Sequence, residues 1–215
     1  MGELKKPLTG PDDASLDAWR AYALAYLAEA MRESAPNALG GATIFPNSPL
    51  DGEGAVAVFE FEAQRSSLDA KRFFVAVGQT EANYYPAYDL TSDEAFSLHL
   101  GTRFMLVMGI GQASSAQLAN VDAVHAAKAV VDRVSPDLSI DDARVAAAFD
   151  VDGELHVIVS CRIGGREAYV MSAGAPAGIY ERHSLPPQVV YRMHLGQVLR
   201  NEPDPDGPRR DPSCA

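Results

Sequence analysis

Phe96-Ser97-Leu98-His99-Leu100-Gly101 returns 95 residues later as Tyr191-Arg192-Met193-His194-Leu195-Gly196, and these two stretches decide how the chain is built. Each runs aromatic, any residue, apolar, then His-Leu-Gly. The likeness extends outward. A shift of 95 lays residues 73–101 on residues 168–196 without a gap. Val75, Ala82, Tyr85, Leu90, His99, Leu100 and Gly101 then meet identical residues at Val170, Ala177, Tyr180, Leu185, His194, Leu195 and Gly196. Phe74, Phe96 and Leu98 meet Tyr169, Tyr191 and Met193. Average residue usage would give roughly two identities over such a window. Landmarks outside it keep their order: Asp51-Gly52-Glu53 has a counterpart in Asp152-Gly153-Glu154, and Arg32, Ser34 and Pro36 have theirs in Arg133, Ser135 and Pro136.

Hydrophobic spacing supplies the elements around these stretches. Asp13 or Ser15 caps a helix that carries Leu16, Trp19, Tyr22, Ala23 or Leu24, Tyr26, Leu27 and Met31 at helical intervals and stops before Pro36. Residues 42–45, 55–62 and 71–77 read as strands, and 83–86 as a turn or extended segment. Ser92 caps the next helix, with Asp93 and Glu94 favourable at its positive end. Gly109-Ile110-Gly111 breaks the chain. A helix from Ser114 or Ser115 follows and ends at Pro136. Asp152-Gly153 between two apolar runs signals a hairpin, and Gly164-Gly165 a second one. Pro186 and Pro187 open a last helix.

The expected fold is therefore α+β, with two tandem α-β-β-β-α units of antiparallel three-stranded meanders packed with helices and related by a pseudo-twofold axis. The units span 13–111 and 112–200, between an N-terminal arm at 1–12 and a C-terminal tail at 201–215. One such unit buries little core alone, so the pair is expected to join sheets or to pack helix on helix.

Composition narrows the function classes. Hydrophobic residues at 47% and charged residues at 22% predict a folded globular chain of 215 residues. A formal charge of −11 argues against nucleic acid and against anionic membrane surfaces, and favours a basic or apolar protein partner. The first residues carry no secretory h-region and no apolar run approaches a membrane span, which predicts a cytoplasmic protein. Of the two cysteines, Cys161 reads as a buried, inert thiol and Cys214 as a tail thiol. No C-x-x-C occurs, and neither His99 nor His194 has a ligand-type residue three or four positions on, so no metal is expected. Phe104 to Met108 followed by Gly109-Ile110-Gly111 imitates a dinucleotide loop, but Ser114 stands where the third glycine belongs, and no cofactor is expected.

Two sets of residues remain as candidates. His99 and His194, with Arg103 beside the first, are either satisfied histidines at packing joints or paired imidazoles near the pseudo-axis acting as bases or pH-sensitive contacts. Gly101 and Gly196 cost each helix about 1 kcal/mol against alanine, which close approach of another element would offset. Tyr84, Tyr85, Tyr88 and Asp89 form the densest polar–aromatic cluster, either a loop whose tyrosines cover the core edge or a binding surface.

No nucleophile elbow, Walker loop or H-E-x-x-H motif occurs. In arrangement and charge, though not in any motif, the small acidic helix–meander–helix unit resembles bacterial secretion chaperones. The expectation is a non-catalytic binding, adaptor or chaperone-like assembly protein of a bacterial-type cytoplasm, with room for a homo-oligomer. The alternative is a small-molecule enzyme or sensor whose cleft lies between the units and uses His99 and His194.

Overall fold

A computed structural model describes residues 16–31, 36–46, 48–50, 54–63, 71–78, 82–134, 136–172, 177–181 and 185–201. The arm at 1–12, the cap at Asp13 or Ser15, Ser34, Asp51-Gly52-Glu53, Ser135 and the tail beyond Asn201 lie outside the described residues.

The first helix, α1 (Leu16–Met31), buries Trp19, Ala23, Leu27 and Met31, one residue per turn. An antiparallel sheet follows, in the order β1 (Asn37–Phe45), β2 (Val56–Ala63), β3 (Lys71–Val77) and β4 (Ala82–Pro86). Then come α2 (Ser92–Val107), the two-residue β5 (Gly111–Gln112), α3 (Ser115–Leu118) and α4 (Ala123–Val134). The second sheet orders β5, β6 (Ile140–Val151), β7 (Glu154–Ile163), β8 (Arg166–Ser172) and β9 (Gly178–Glu181), again antiparallel, and α5 (Pro187–Asn201) closes the described chain. The fold is thus α+β, with sheets of four and five strands where three-stranded meanders were expected. The additional strands are the segments with the weakest local signal. β4 holds Asn83 and Pro86, β9 is four residues long, and β5 is a glycine and a glutamine.

Several boundaries moved for identifiable reasons. β1 begins at Asn37 because Gly40, at φ +129°, lets the strand bulge between Ala38 and Ala42. Thr91, not Ser92, caps α2: its hydroxyl accepts from the Glu94 N–H, and the Glu94 carboxylate accepts from the Thr91 N–H. The helix expected from Ser114 to Pro136 splits, because Asp122 accepts from the His125 N–H and starts α4 afresh. The segment that imitated a dinucleotide loop is the end of α2. Gly109 takes φ +65°, its N–H donates to Leu106 and that of Ile110 to Met105, which is a helix-ending Schellman arrangement. Asp152-Gly153 and Gly164-Gly165 both take positive φ and make the expected tight hairpins.

Strand alternation then builds the core in layers. Phe59, Phe61, Phe73 and Val75 face α1, and Val157, Val159, Cys161 and Val170 face α4. The opposite faces, with Val58, Phe74 and Tyr85 on one sheet and Phe149, Ile158 and Tyr169 on the other, share one central cluster with α2 and α5. The central strands β2, β3, β7 and β8 are buried on both faces and read as nearly continuous apolar runs. Helix packs on helix at the centre.

Three pairs fix how α2 and α5 meet. Arg200 donates to the Asp93 carboxylate at 2.9 Å. A Cβ added to Gly196 would lie 1.8 Å from the Ser97 carbonyl oxygen, and one added to Gly101 would lie 1.8 Å from that of Arg192. Partners ascend on one helix as they descend on the other, so the helices run antiparallel. Their backbones touch at two places that exchange roles. Glycine is required at both, since any side chain would run into the facing backbone.

Candidate functional site

In this register His99 stands level with His194, yet the two side chains do not converge. Each lies two residues, about 200° of helix, from the residues that touch the partner helix. His99 is fully buried and its Nδ1 is 3.2 Å from the Tyr85 hydroxyl. His194 is likewise buried, with its Nδ1 2.5 Å from the Tyr180 hydroxyl. Each imidazole therefore bonds a tyrosine of the sheet beside its own helix. Arg103, one turn beyond His99, is half-buried and does not line the cleft described below.

The tyrosine-rich segment is divided by the pleat of β4. Tyr84 is on the outer face, edge-on to Tyr26 and Phe73, while Tyr85 is in the central layer. Tyr88 and Asp89 follow in a turn closed by Leu90 N–H donating to the Ala87 carbonyl at 2.6 Å. Both take positive φ, 44° and 62°, in a turn that glycine or asparagine normally fills.

This turn forms one wall of an open cleft of about 380 Å³. Glu94 continues that wall. Across from it stand Tyr180 and Glu181 of β9, and Gln197 of α5. Leu90, Leu185, Val190 and Met193 line it with apolar surface. Residues from both halves of the chain thus meet here, and Leu90 and Leu185 are counterparts under the 95-residue shift. Its polar groups are oriented from within. Glu94 Oε2 accepts from both the N–H and the hydroxyl of Thr91. The Tyr180 hydroxyl donates to Gln197 Oε1 at 2.9 Å and lies 2.5 Å from His194 Nδ1. Burial pushes the Tyr180 phenol up to about 12, so it stays protonated at neutral pH.

Of the residues singled out from sequence, Tyr88 and Asp89 reach the cleft directly, and His194 reaches it through Tyr180. Sequence reasoning missed Glu94, Tyr180, Glu181 and Gln197 as members of one site. Tyr180 carried a signal, as the counterpart of Tyr85. Glu94 read as a helix-start acid, and Glu181 and Gln197 carried no signal.

A second buried polar pair lies on β7 and α5. His156 Nδ1 is 2.7 Å from the Tyr191 hydroxyl, and Tyr191 stacks on Phe149 with ring centroids 4.3 Å apart. Burial lowers the His156 pKa, opposed by the nearby Glu154 carboxylate, and burial raises that of Tyr191. In the first sheet β1 and β2 pair Phe45 with Val56 as β6 and β7 pair Phe149 with His156, and Phe45 stacks on Phe96 with ring centroids 4.0 Å apart. Imidazole and hydroxyl are present together or replaced together by apolar groups. Cys161 is buried, and desolvation raises its pKa, which disfavours the reactive thiolate.

Among the described residues no group of three or more His, Cys, Asp or Glu side chains is placed to hold a metal ion, and no helix is long and apolar enough to cross a membrane. Comparison with protein-family models, with curated proteins and with solved structures gave no match to this chain.

Proposed function

We propose that this chain is a non-catalytic binding or assembly protein, made by end-to-end duplication of one α-β-β-β-β-α unit, whose binding seat is the cleft that both halves line. The duplication is supported by strand register. The shift of 95 that aligns the sequences carries Phe74↔Tyr85 onto Tyr169↔Tyr180, and Val75↔Tyr84 onto Val170↔Ile179. It also carries the Gly101–Arg192 contact onto Gly196–Ser97.

The observation that carries the functional reading is the cleft itself. It is concave and amphipathic, and its size falls at the lower end of the roughly 300–1,000 Å³ usual for ligand sites. It departs from the symmetry of the fold, because Tyr88 and Asp89 have no like residues at His183 and Ser184. Mixing the full chain with candidate partners, followed by native mass spectrometry and cross-linking from Tyr88→Cys, tests the reading. A partner cross-linked at the cleft is expected. A chain that remains monomeric and captures nothing through that position would count decisively against it.

A second reading, a small-molecule sensor or enzyme, draws support from Tyr180, which lines the cleft and bonds His194. Replacing His194 with Gln, which preserves a polar contact, separates the two. Binding of a protein partner should survive in the folded variant. Loss of function without loss of partner binding would favour the sensor.

A further inference from the structure

We infer that the cleft receives a lysine- or arginine-bearing segment of a protein partner, an inference that rests on the binding reading above. Asp89, Glu94 and Glu181 stand around it, and among the described residues no lysine or arginine lines it. The three carboxylates therefore border a concave space. Between them the lining is aliphatic, with Leu185 and Met193. A cationic head on an aliphatic stem satisfies both surfaces, stem on the apolar lining and head among the carboxylates. A small free cation leaves the apolar part uncovered, and an apolar segment leaves the carboxylates desolvated without partners.

Tyr88 and Tyr180 add aromatic rings beside these carboxylates, surroundings that favour a cation. The chain's charge of −11 draws a basic partner toward it. Glu94 is held by Thr91, and Tyr180 by Gln197 and His194, so little ordering is required when the segment arrives.

The test is calorimetric titration of the full chain with short glycine–serine peptides carrying arginines, glutamates or leucines, and with spermidine. NMR signals of Tyr180 and Met193 report whether the cleft is engaged. The arginine peptide is expected to bind there, more weakly as salt is raised. Asp89→Asn combined with Glu181→Gln should weaken it about tenfold or more. Both side chains are exposed, so the unfolding midpoint should not fall. Undiminished binding by that double variant overturns the inference, as does spermidine binding as tightly as the peptide. A leucine peptide engaging the cleft equally well overturns the charge requirement but leaves the binding reading standing. Silence of Tyr180 and Met193 toward all four ligands overturns both.

Discussion

At the scale of single residues, the glycines at the helix crossing carry the sharpest requirement. Glycine to alanine inside a helix normally stabilises by about 1 kcal/mol. Here the added methyl would meet a backbone oxygen at 1.8 Å, and backbone cannot rotate out of the way. Gly101→Ala and Gly196→Ala should therefore each destabilise by about 3 kcal/mol, at the upper end of the usual cost of overpacking. Equilibrium denaturation would read this, and a variant as stable as its parent would rule out the crossing. His156 gives a second expectation. Its pKa is lowered in the folded chain, so the unfolded chain binds the proton more readily. Stability is full above the ordinary value of 6.5 and is lost as pH falls below it. Tyr191→Phe alone leaves the buried imidazole without this partner, at about 1–3 kcal/mol. His156→Val with Tyr191→Phe installs the apolar pair of the first half, and should restore stability to within about 1 kcal/mol and flatten the acid limb. Thermal melts across pH 5 to 8, the range in which an ordinary histidine titrates, would check both.

At the scale of elements, the turn between β4 and α2 sets stability against function. Two consecutive non-glycine residues with positive φ cost about 1–2 kcal/mol each. Replacing Tyr88-Asp89 with Asn-Gly keeps the turn geometry and relieves that strain. The expected result is a gain of about 1–3 kcal/mol in denaturant stability, with loss of binding at the cleft. A variant that is no more stable would mean that the turn is not strained. The same turn marks the limit of what the sequence made legible. Long amphipathic or apolar segments such as α1, α2, β2, β3, β7 and β8 were readable because burial imposes their pattern. Asp152-Gly153 was readable because its turn demands those residue types. β4, β5 and β9 were not, since each is held by a neighbouring strand rather than by its own spacing. The cleft was half legible. Tyr88 and Asp89 stood out by composition, but Glu94, Glu181 and Gln197 become one site only when the two halves are brought together.

At the scale of the whole molecule, the decisive feature is the shared middle layer. Had the halves been independent, α2 and α5 would each cover only their own sheet, and the halves would unfold separately. Instead the inner faces of both sheets close on α2 and α5 as one cluster, and each helix fills the space the other leaves at its glycine. Each half without the other would bare the side of α2 or α5 that the second helix covers. Unfolding should therefore be a single transition, with calorimetric and van't Hoff enthalpies in agreement. The coupling has a more demanding consequence. Gly101→Ala lies in the first half, yet it displaces α5 through the Arg192 carbonyl. Native-state hydrogen exchange should show protection falling by comparable amounts in β2 and β3 and in β7 and β8. The outer helices α1 and α4, each resting on a cluster of its own, should lose protection only through global opening. If loss of protection stops at α2 and the first sheet, the middle layer does not join the halves, and a cleft built from both would lack the fixed geometry that binding there requires.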